Sequence, residues 1–144
     1  MSKGVQPGRI LVVDDSESMC RVLEALLSGR GHEVRTATTG AHARAAAQVF
    51  DCQVAVVDFR LPDVDGLDLI QELQTRRPGL RAILMTSYGT PALRERVKAH
   101  AGYGYTTKPF DNERIVEQIE QAVAAARRET PDDAPPAGGE AASR

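Results

Sequence analysis

Residues 10–15 read Ile-Leu-Val-Val-Asp-Asp, a short apolar run that ends in two acidic residues. Similar runs occupy residues 54–58, Val-Ala-Val-Val-Asp, and residues 82–87, Ala-Ile-Leu-Met-Thr-Ser. Continuous apolar runs of this length are typical of strands that are covered on both faces of a parallel sheet. Residues 32–37 and 103–106 are more polar or contain glycine, and they predict two further strands at the sheet edges.

Helical patterns lie between and after these strands. The first predicted helix has an apolar stripe made of Met19, Val22, Leu23, Leu26 and Leu27. Asp65, Thr90 and Asp111 stand where the last three helices would begin, since both residue types cap helix N-termini. The alternation predicts an α/β fold with a single flavodoxin-like, doubly wound, five-stranded parallel sheet and helices on both faces. The order 2-1-3-4-5 fits because it places the three apolar strands inside.

Composition narrows the class of protein. The chain has 144 residues, 26% of them charged, and a formal net charge of -2, which argues against direct contact with nucleic acid. The two cysteines, Cys20 and Cys52, are far apart and are expected to be buried apolar side chains. We expect a cytoplasmic protein without membrane contact, because no signal sequence is visible and no apolar run approaches the ~18 residues that span a bilayer.

The pattern predicts one folded domain. We expect residues 9–128 to form it, after a flexible N-terminus at residues 1–8. No large apolar residue follows Val123, so residues 129–144 are expected to be a disordered tail or the start of a linker.

Polar side chains stand at the carboxyl ends of four predicted strands, which share one rim of a parallel sheet. They are Asp14 and Asp15, Asp58, Thr86, and Lys108. Unit charges ~4 Å apart interact by about 4 kcal/mol at an effective dielectric of 20, so clustered carboxylates favour binding a cation. Oxygen ligands point to Mg²⁺ or Mn²⁺. An ammonium and a hydroxyl suit phosphoryl oxygens, so the rim predicts phosphoryl transfer to Asp58.

Taken singly, these residues have simpler interpretations. Asp14 and Asp15 are suited to capping a helix, and Thr86 to capping or lining the core edge. Asp58 taken alone is compatible with a turn residue, and Lys108 with Pro109 is compatible with a surface turn. Only their joint placement on one rim favours the phosphoryl site.

Four strings in the sequence resemble the receiver domain of bacterial two-component response regulators. They are residues 12–16, 56–66, 83–89 and 105–110, and the likeness extends over residues 9–127. The second string, Asp-x-x-Leu-Pro-Asp-x-Asp-Gly, is highly specific.

The resemblance implies a metal site and a phosphoacceptor. Asp58 would be phosphorylated from a phosphohistidine on a partner. Asp15 and Asp58 would bind Mg²⁺ directly, Asp14 largely through water, and Arg60 through its backbone carbonyl.

The resemblance also implies a switch. Thr86 and Lys108 would contact the phosphoryl group, and Tyr105 would swing inward when Thr86 moves. The Lys108–Pro109 bond is expected to be cis, and Gly66 to lie beside the acceptor loop. Phosphorylation would then reshape the face built by the fourth helix, fifth strand and fifth helix.

The implied partners are a sensor histidine kinase or phosphotransfer protein, and an output domain or downstream protein. A homodimer through the switch face is also compatible. The implied activity is that of a phosphoacceptor, not an enzyme, although it assists its own phosphorylation and slow aspartyl-phosphate hydrolysis.

Two other functions stay open at this point. A phosphatase of the haloacid-dehalogenase type also uses a strand-end aspartate, but its Asp-x-Asp motif is missing at Asp14 and at Asp58. A receiver-like module that binds proteins without phosphorylation would keep the fold. Nucleotide binding is disfavoured, since neither glycine-rich phosphate motif is present.

Overall fold

The computed structural model describes residues 6–87, 89–99 and 103–129. Strands and helices alternate along the chain. They are β1 (Arg9–Val13), α1 (Glu17–Ser28), β2 (Glu33–Ala37), α2 (Gly40–Val49), β3 (Val54–Asp58), α3 (Gly66–Arg76), β4 (Arg81–Thr86), α4 (Pro91–Lys98), β5 (Tyr103–Thr107) and α5 (Asn112–Glu129).

The five strands form one parallel sheet in the order β2-β1-β3-β4-β5, as the sequence predicts. The predicted central strands are the buried ones, since every residue of β3 is buried. The edge strand β2 buries only Ala37 fully. The apolar content of each run therefore predicted its position in the sheet, because a central strand has no solvent-facing side.

Alternate residues of the central strands supply two separate layers of core. Leu11, Val57 and Leu84 face α2, α3 and α4, while Val12, Val56 and Ile83 face α1 and α5. Cys20 and Cys52 are buried, one in each layer, as expected. The sheet is covered on both faces, so its carboxyl-end rim is the place where polar groups from different strands can meet.

The predicted helix starts are largely confirmed. Asp65 accepts hydrogen bonds from the amides of Leu67 and Asp68, and Thr90 accepts one from Leu93. Asp111 accepts one from the amide of Glu113.

The apolar stripe predicted for α1 was too wide. Val22 is 43% exposed, while Cys20, Leu23 and Leu27 are buried. The helix rests on the sheet through a narrower strip, and Val22 lies outside it on the solvent side.

Both ends of the predicted domain extend slightly beyond their expected limits. Gly8 is buried, with its amide donating to His32 Nδ1 at 2.9 Å, and α5 continues through Glu129. Residues 1–5 and 130–144 lie outside the described residues. Within the described ranges, no helix combines the length and apolar character needed to cross a bilayer.

Candidate functional site

Three acidic residues gather at the carboxyl end of the sheet. Asp14 and Asp15 follow β1, and Asp58 is the last residue of β3. One carboxylate oxygen from each lies within 4.8 Å of the other two. Neither of the first two caps α1, because Ser16 does so by accepting from the amide of Met19. Both are thereby free of the simple capping role and face the rim.

Lys108 lies between two of these carboxylates. Its Nζ is 2.7 Å from Asp14 Oδ2 and 3.1 Å from Asp58 Oδ1. Asp14 is fully buried, and the Asp58 side chain is only 10% exposed, so both ion pairs lie largely out of water. A lysine 94 residues away in sequence therefore completes the cluster.

Strand geometry holds the lysine in place. The Lys108 amide donates to Thr86 O at 2.8 Å, which continues the β4–β5 pairing past the end of β5. The Lys108–Pro109 bond is cis, the isomer that the resemblance implied.

Burial sets the acidity of the cluster. It raises the pKa of Asp58, and the neighbouring charge of Asp14 raises it further, while Lys108 opposes both. For Lys108, burial lowers the pKa, but the hydrogen bonds and charges of Asp14 and Asp58 outweigh it, so the pKa is raised overall. The ammonium of Lys108 therefore stays charged, and the surroundings of Asp58 disfavour its charged form.

The cluster fits a divalent cation with oxygen ligands. Three carboxylates and one ammonium leave two negative charges, which one divalent cation balances. Mg²⁺ takes carboxylate oxygens and keeps several waters, and Asp15 is exposed on the open side where water can enter. The donor set, its spacing and its charge all agree with such an ion.

The two predicted switch residues sit on neighbouring strands beside the cluster. Thr86 ends β4 and is 2% exposed. Tyr105 is on β5 and packs against the α2–α4 core layer, with the Arg94 guanidinium 5.9 Å from its ring centre. Its hydroxyl is buried and has no hydrogen-bond partner among the described residues. The aromatic ring thus packs partly against the core, and the predicted swing remains a prediction.

The loop between β3 and α3 closes tightly on itself. The Gly66 amide donates to Phe59 O at 2.7 Å, and Arg60 pairs with Asp65 in an antiparallel bridge. A Cβ at Gly66 would lie 2.3 Å from Asp58 O, so only glycine allows this approach. The backbone of Arg60, predicted to supply a carbonyl ligand, is held two residues after Asp58.

One residue near the site has a role that the sequence did not predict. Asp63, inside the specific string, accepts hydrogen bonds from the amides of Gly40 and Ala41 at the start of α2. No local signal could reveal this, because the partners lie more than twenty positions upstream.

Comparisons with known proteins agree with this geometry. Residues 10–120 match the family described as response regulator receiver domain. The chain is 34% identical over 120 residues to the transcriptional regulatory protein ZraR of Salmonella typhimurium, covering 82% of this chain and 27% of that protein. It is 36% identical over 113 residues to the probable transcriptional regulatory protein TcrX of Mycobacterium tuberculosis, covering 77% and 47%.

The fold is also found in solved structures. A CheY-like response regulator receiver domain protein from Methanospirillum hungatei superposes with a TM-score of 0.79 at 27% identity, covering 86% of this chain and 99% of that one. The chain therefore spans nearly all of an isolated domain of this type, but less than half the length of ZraR or TcrX.

Proposed function

The chain belongs to the family of response regulator receiver domains, and on that premise we propose that it accepts a phosphoryl group on Asp58. The observation that carries the proposal is the meeting of Asp14, Asp15, Asp58 and Lys108 at the carboxyl end of the sheet. A carboxylate beside a cation site and an ammonium has the groups needed for phosphoryl transfer.

Each residue then has a defined part in the reaction. An oxygen of Asp58 attacks phosphorus, a P–O bond forms, and the bond to the donor breaks. With a phosphohistidine donor, the released imidazole nitrogen retains the bonding electron pair. Lys108 pairs with Asp58 at rest and is placed to follow the negative charge onto the phosphoryl oxygens. Thr86 adds a hydroxyl donor from the end of β4.

Mg²⁺, or Mn²⁺ in its place, would be held by Asp15, Asp58 and the Arg60 carbonyl, with Asp14 acting largely through water. When bound, the ion neutralises the carboxylates and the phosphoryl oxygens as they approach one another. The proposal is supported by the oxygen donors within 4.8 Å of one another and by the two uncompensated negative charges.

Membership of the family supports a proposal for the biological role. We infer that a sensor histidine kinase or phosphotransfer protein supplies the phosphoryl group, and that the face formed by α4, β5 and α5 carries the response to an output domain or partner. The relatives ZraR and TcrX are transcriptional regulators, and this chain spans only part of each. We therefore propose a role in transcriptional control, with the domain itself acting as a phosphoacceptor rather than an enzyme with a separate substrate.

Replacement of Asp58 tests the proposal. The Asp58→Asn variant should lose labelling by radioactive acetyl phosphate in the presence of Mg²⁺, because an amide is a poor nucleophile at phosphorus. Asp68→Asn, an exposed acid in the first turn of α3, is the matched control and should label like the wild type.

Continued labelling of Asp58→Asn would reject Asp58 as the acceptor. Rapid turnover of a small phosphate ester by the wild type would favour a phosphatase instead. If the wild type folded stably but was not labelled at all, the result would favour a binding module that works without phosphorylation.

A further inference from the structure

The loop that follows the proposed phosphoacceptor is anchored at its base and at its tip. Its base is the contact of Gly66 with Phe59 and Asp58. At its tip, Asp63 Oδ1 accepts from the Gly40 amide at 2.7 Å, and Oδ2 accepts from the Ala41 amide at 3.0 Å. The backbone between the base and the tip of this loop therefore has little freedom to move.

The contact at the loop tip satisfies the backbone amides at the start of α2 that have no partner within the helix. The first amides of a helix lack partners within the helix. Thr39, the N-cap of α2, takes the amide of His42 through its side chain and that of Ala43 through its carbonyl. The two amides left are those of Gly40 and Ala41, and Asp63 takes both.

Packing supports the same contact. A Cβ at Gly40 would lie 2.5 Å from Val64 Cγ1, so α2 begins with the one residue that leaves room for the loop tip. Val64 packs in turn against the α2–α4 core layer. The hydrogen bonds from Gly40 and Ala41 lower the pKa of Asp63, because they stabilise its charged form.

We propose that Asp63 is a positioning residue for the metal centre, which braces the loop tip against α2 and thereby fixes the backbone carbonyl of Arg60. This inference rests on the proposed function, in which that carbonyl binds Mg²⁺. Arg60 is bridged to Asp65 at the base of the loop and precedes the tip, so release of the tip would remove one of the two restraints on the backbone that carries its carbonyl. Groups that orient a ligand in this way affect affinity without touching the ion.

Mg²⁺ titration by calorimetry tests the role of Asp63. Asp63→Ala removes both hydrogen bonds and should weaken Mg²⁺ binding about tenfold, the lower end of the usual effect of losing a group that orients a metal ligand. Asp63→Asn keeps one acceptor oxygen for the Gly40 amide and should lose less Mg²⁺ affinity than Asp63→Ala. Asp68→Asn removes an equal charge from an exposed acid that pairs with Arg96 on α4, and it should bind Mg²⁺ like the wild type.

Amide hydrogen exchange gives a second readout that does not depend on metal. Exchange at Gly40 and Ala41 should accelerate in Asp63→Ala and less in Asp63→Asn. If Asp63→Ala fails to fold, the milder Asp63→Asn still reports both quantities against Asp68→Asn.

Three results would overturn the inference. If Asp63→Ala kept the wild-type affinity for Mg²⁺ while hydrogen exchange at Gly40 and Ala41 became faster, the contact of Asp63 with α2 would have no effect on the metal site. Equal weakening in all three variants would assign the effect to charge alone. Absence of Mg²⁺ binding by the wild type would overturn the proposed metal site as well, which separates the two failures.

Discussion

At the scale of single residues, the site places a carboxylate where ionisation is unfavourable. Burial and the charge of Asp14 raise the pKa of Asp58, and Lys108 offsets only part of this. The folded pKa of Asp58 therefore lies above the ordinary value of 3.8. A carboxylate that is poorly compensated at rest gains most from a bound cation, because the cation offsets its unfavourable negative charge.

The acidity of Asp58 predicts a pH-dependent effect on stability. A raised folded pKa means that the contribution of Asp58 is fully present below pH 3.8 and is lost as the pH rises through the folded pKa. Without Mg²⁺, Asp58→Asn should therefore unfold at a higher temperature than the wild type at pH 7. The difference should shrink as the pH falls below 3.8, where Asp58 becomes protonated in both states.

Thermal unfolding by circular dichroism with a chelator present measures this difference. Added Mg²⁺ should stabilise the wild type and leave Asp58→Asn nearly unchanged, since ligand binding to the folded state alone raises stability. A variant less stable than the wild type at pH 7 would show instead that Lys108 outweighs burial and Asp14.

At the scale of elements, the β3–α3 loop depends on one close backbone approach. A Cβ at Gly66 would lie 2.3 Å from Asp58 O and 2.9 Å from Phe59 Cα. Both atoms belong to backbone, so neither can move aside by rotating a side chain. The start of α3 and the end of β3 are thus in fixed contact, and the position of the Asp58 carboxylate depends on that contact.

Gly66→Ala should disturb stability and phosphorylation together. We expect a loss of about 1–3 kcal/mol in the free energy of unfolding, the usual cost of overpacking. Labelling of Asp58 by acetyl phosphate should also slow, because the strand end must shift. Urea unfolding and the labelling rate measure the two effects.

Gly29→Ala serves as the comparison for this substitution. Gly29 caps α1 in a helical conformation, and its added Cβ would lie 3.1 Å from the Ala25 carbonyl oxygen and 3.7 Å from that of Leu26, well beyond the 2.3 Å found at Gly66. Gly29→Ala should change the free energy of unfolding and the labelling rate of Asp58 far less than Gly66→Ala does. Equal effects in the two variants would contradict the special role given to Gly66.

At the scale of the whole molecule, a buried network ties the N-terminal segment to α5. The Gly8 amide donates to His32 Nδ1, so that nitrogen carries no proton and the ring hydrogen lies on Nε2. Nε2 then donates to Glu120 at 2.8 Å, and Arg30 donates two hydrogen bonds to the same carboxylate. The bonds from Arg30 lower the pKa of Glu120, with His32 adding to them against burial.

Removal of this carboxylate should destabilise the fold. Glu120→Ala leaves the buried Nε2–H of His32 without its acceptor, at a cost of about 1–3 kcal/mol in the free energy of unfolding. Glu117→Ala, an exposed position one turn earlier on α5, should cost much less. Urea denaturation at pH 7 compares the two, and equal midpoints would show that the network adds no stability.

The local sequence was sufficient to predict the fold and the chemical groups of the site. Continuous apolar runs predicted the buried strands, and their ranking by polarity predicted the sheet order. The parallel order then required Asp14, Asp58 and Lys108 to share one rim, where the structure places them. Periodicity succeeded here because burial on both faces leaves little choice of residue. It overestimated the α1 stripe at Val22, because it cannot tell how broad a contact a helix makes.

Tertiary structure alone decided the contacts that hold the site in shape. The pairing of Asp63 with the start of α2 and that of His32 with Glu120 join residues 22 to 88 positions apart. The packing of Tyr105 against the core layer formed with α2, α3 and α4 is likewise a contact between elements distant in sequence. Hydrogen bonds of this kind depend on where two separate elements come to rest, a position fixed by the packing of the whole core and not by any local pattern.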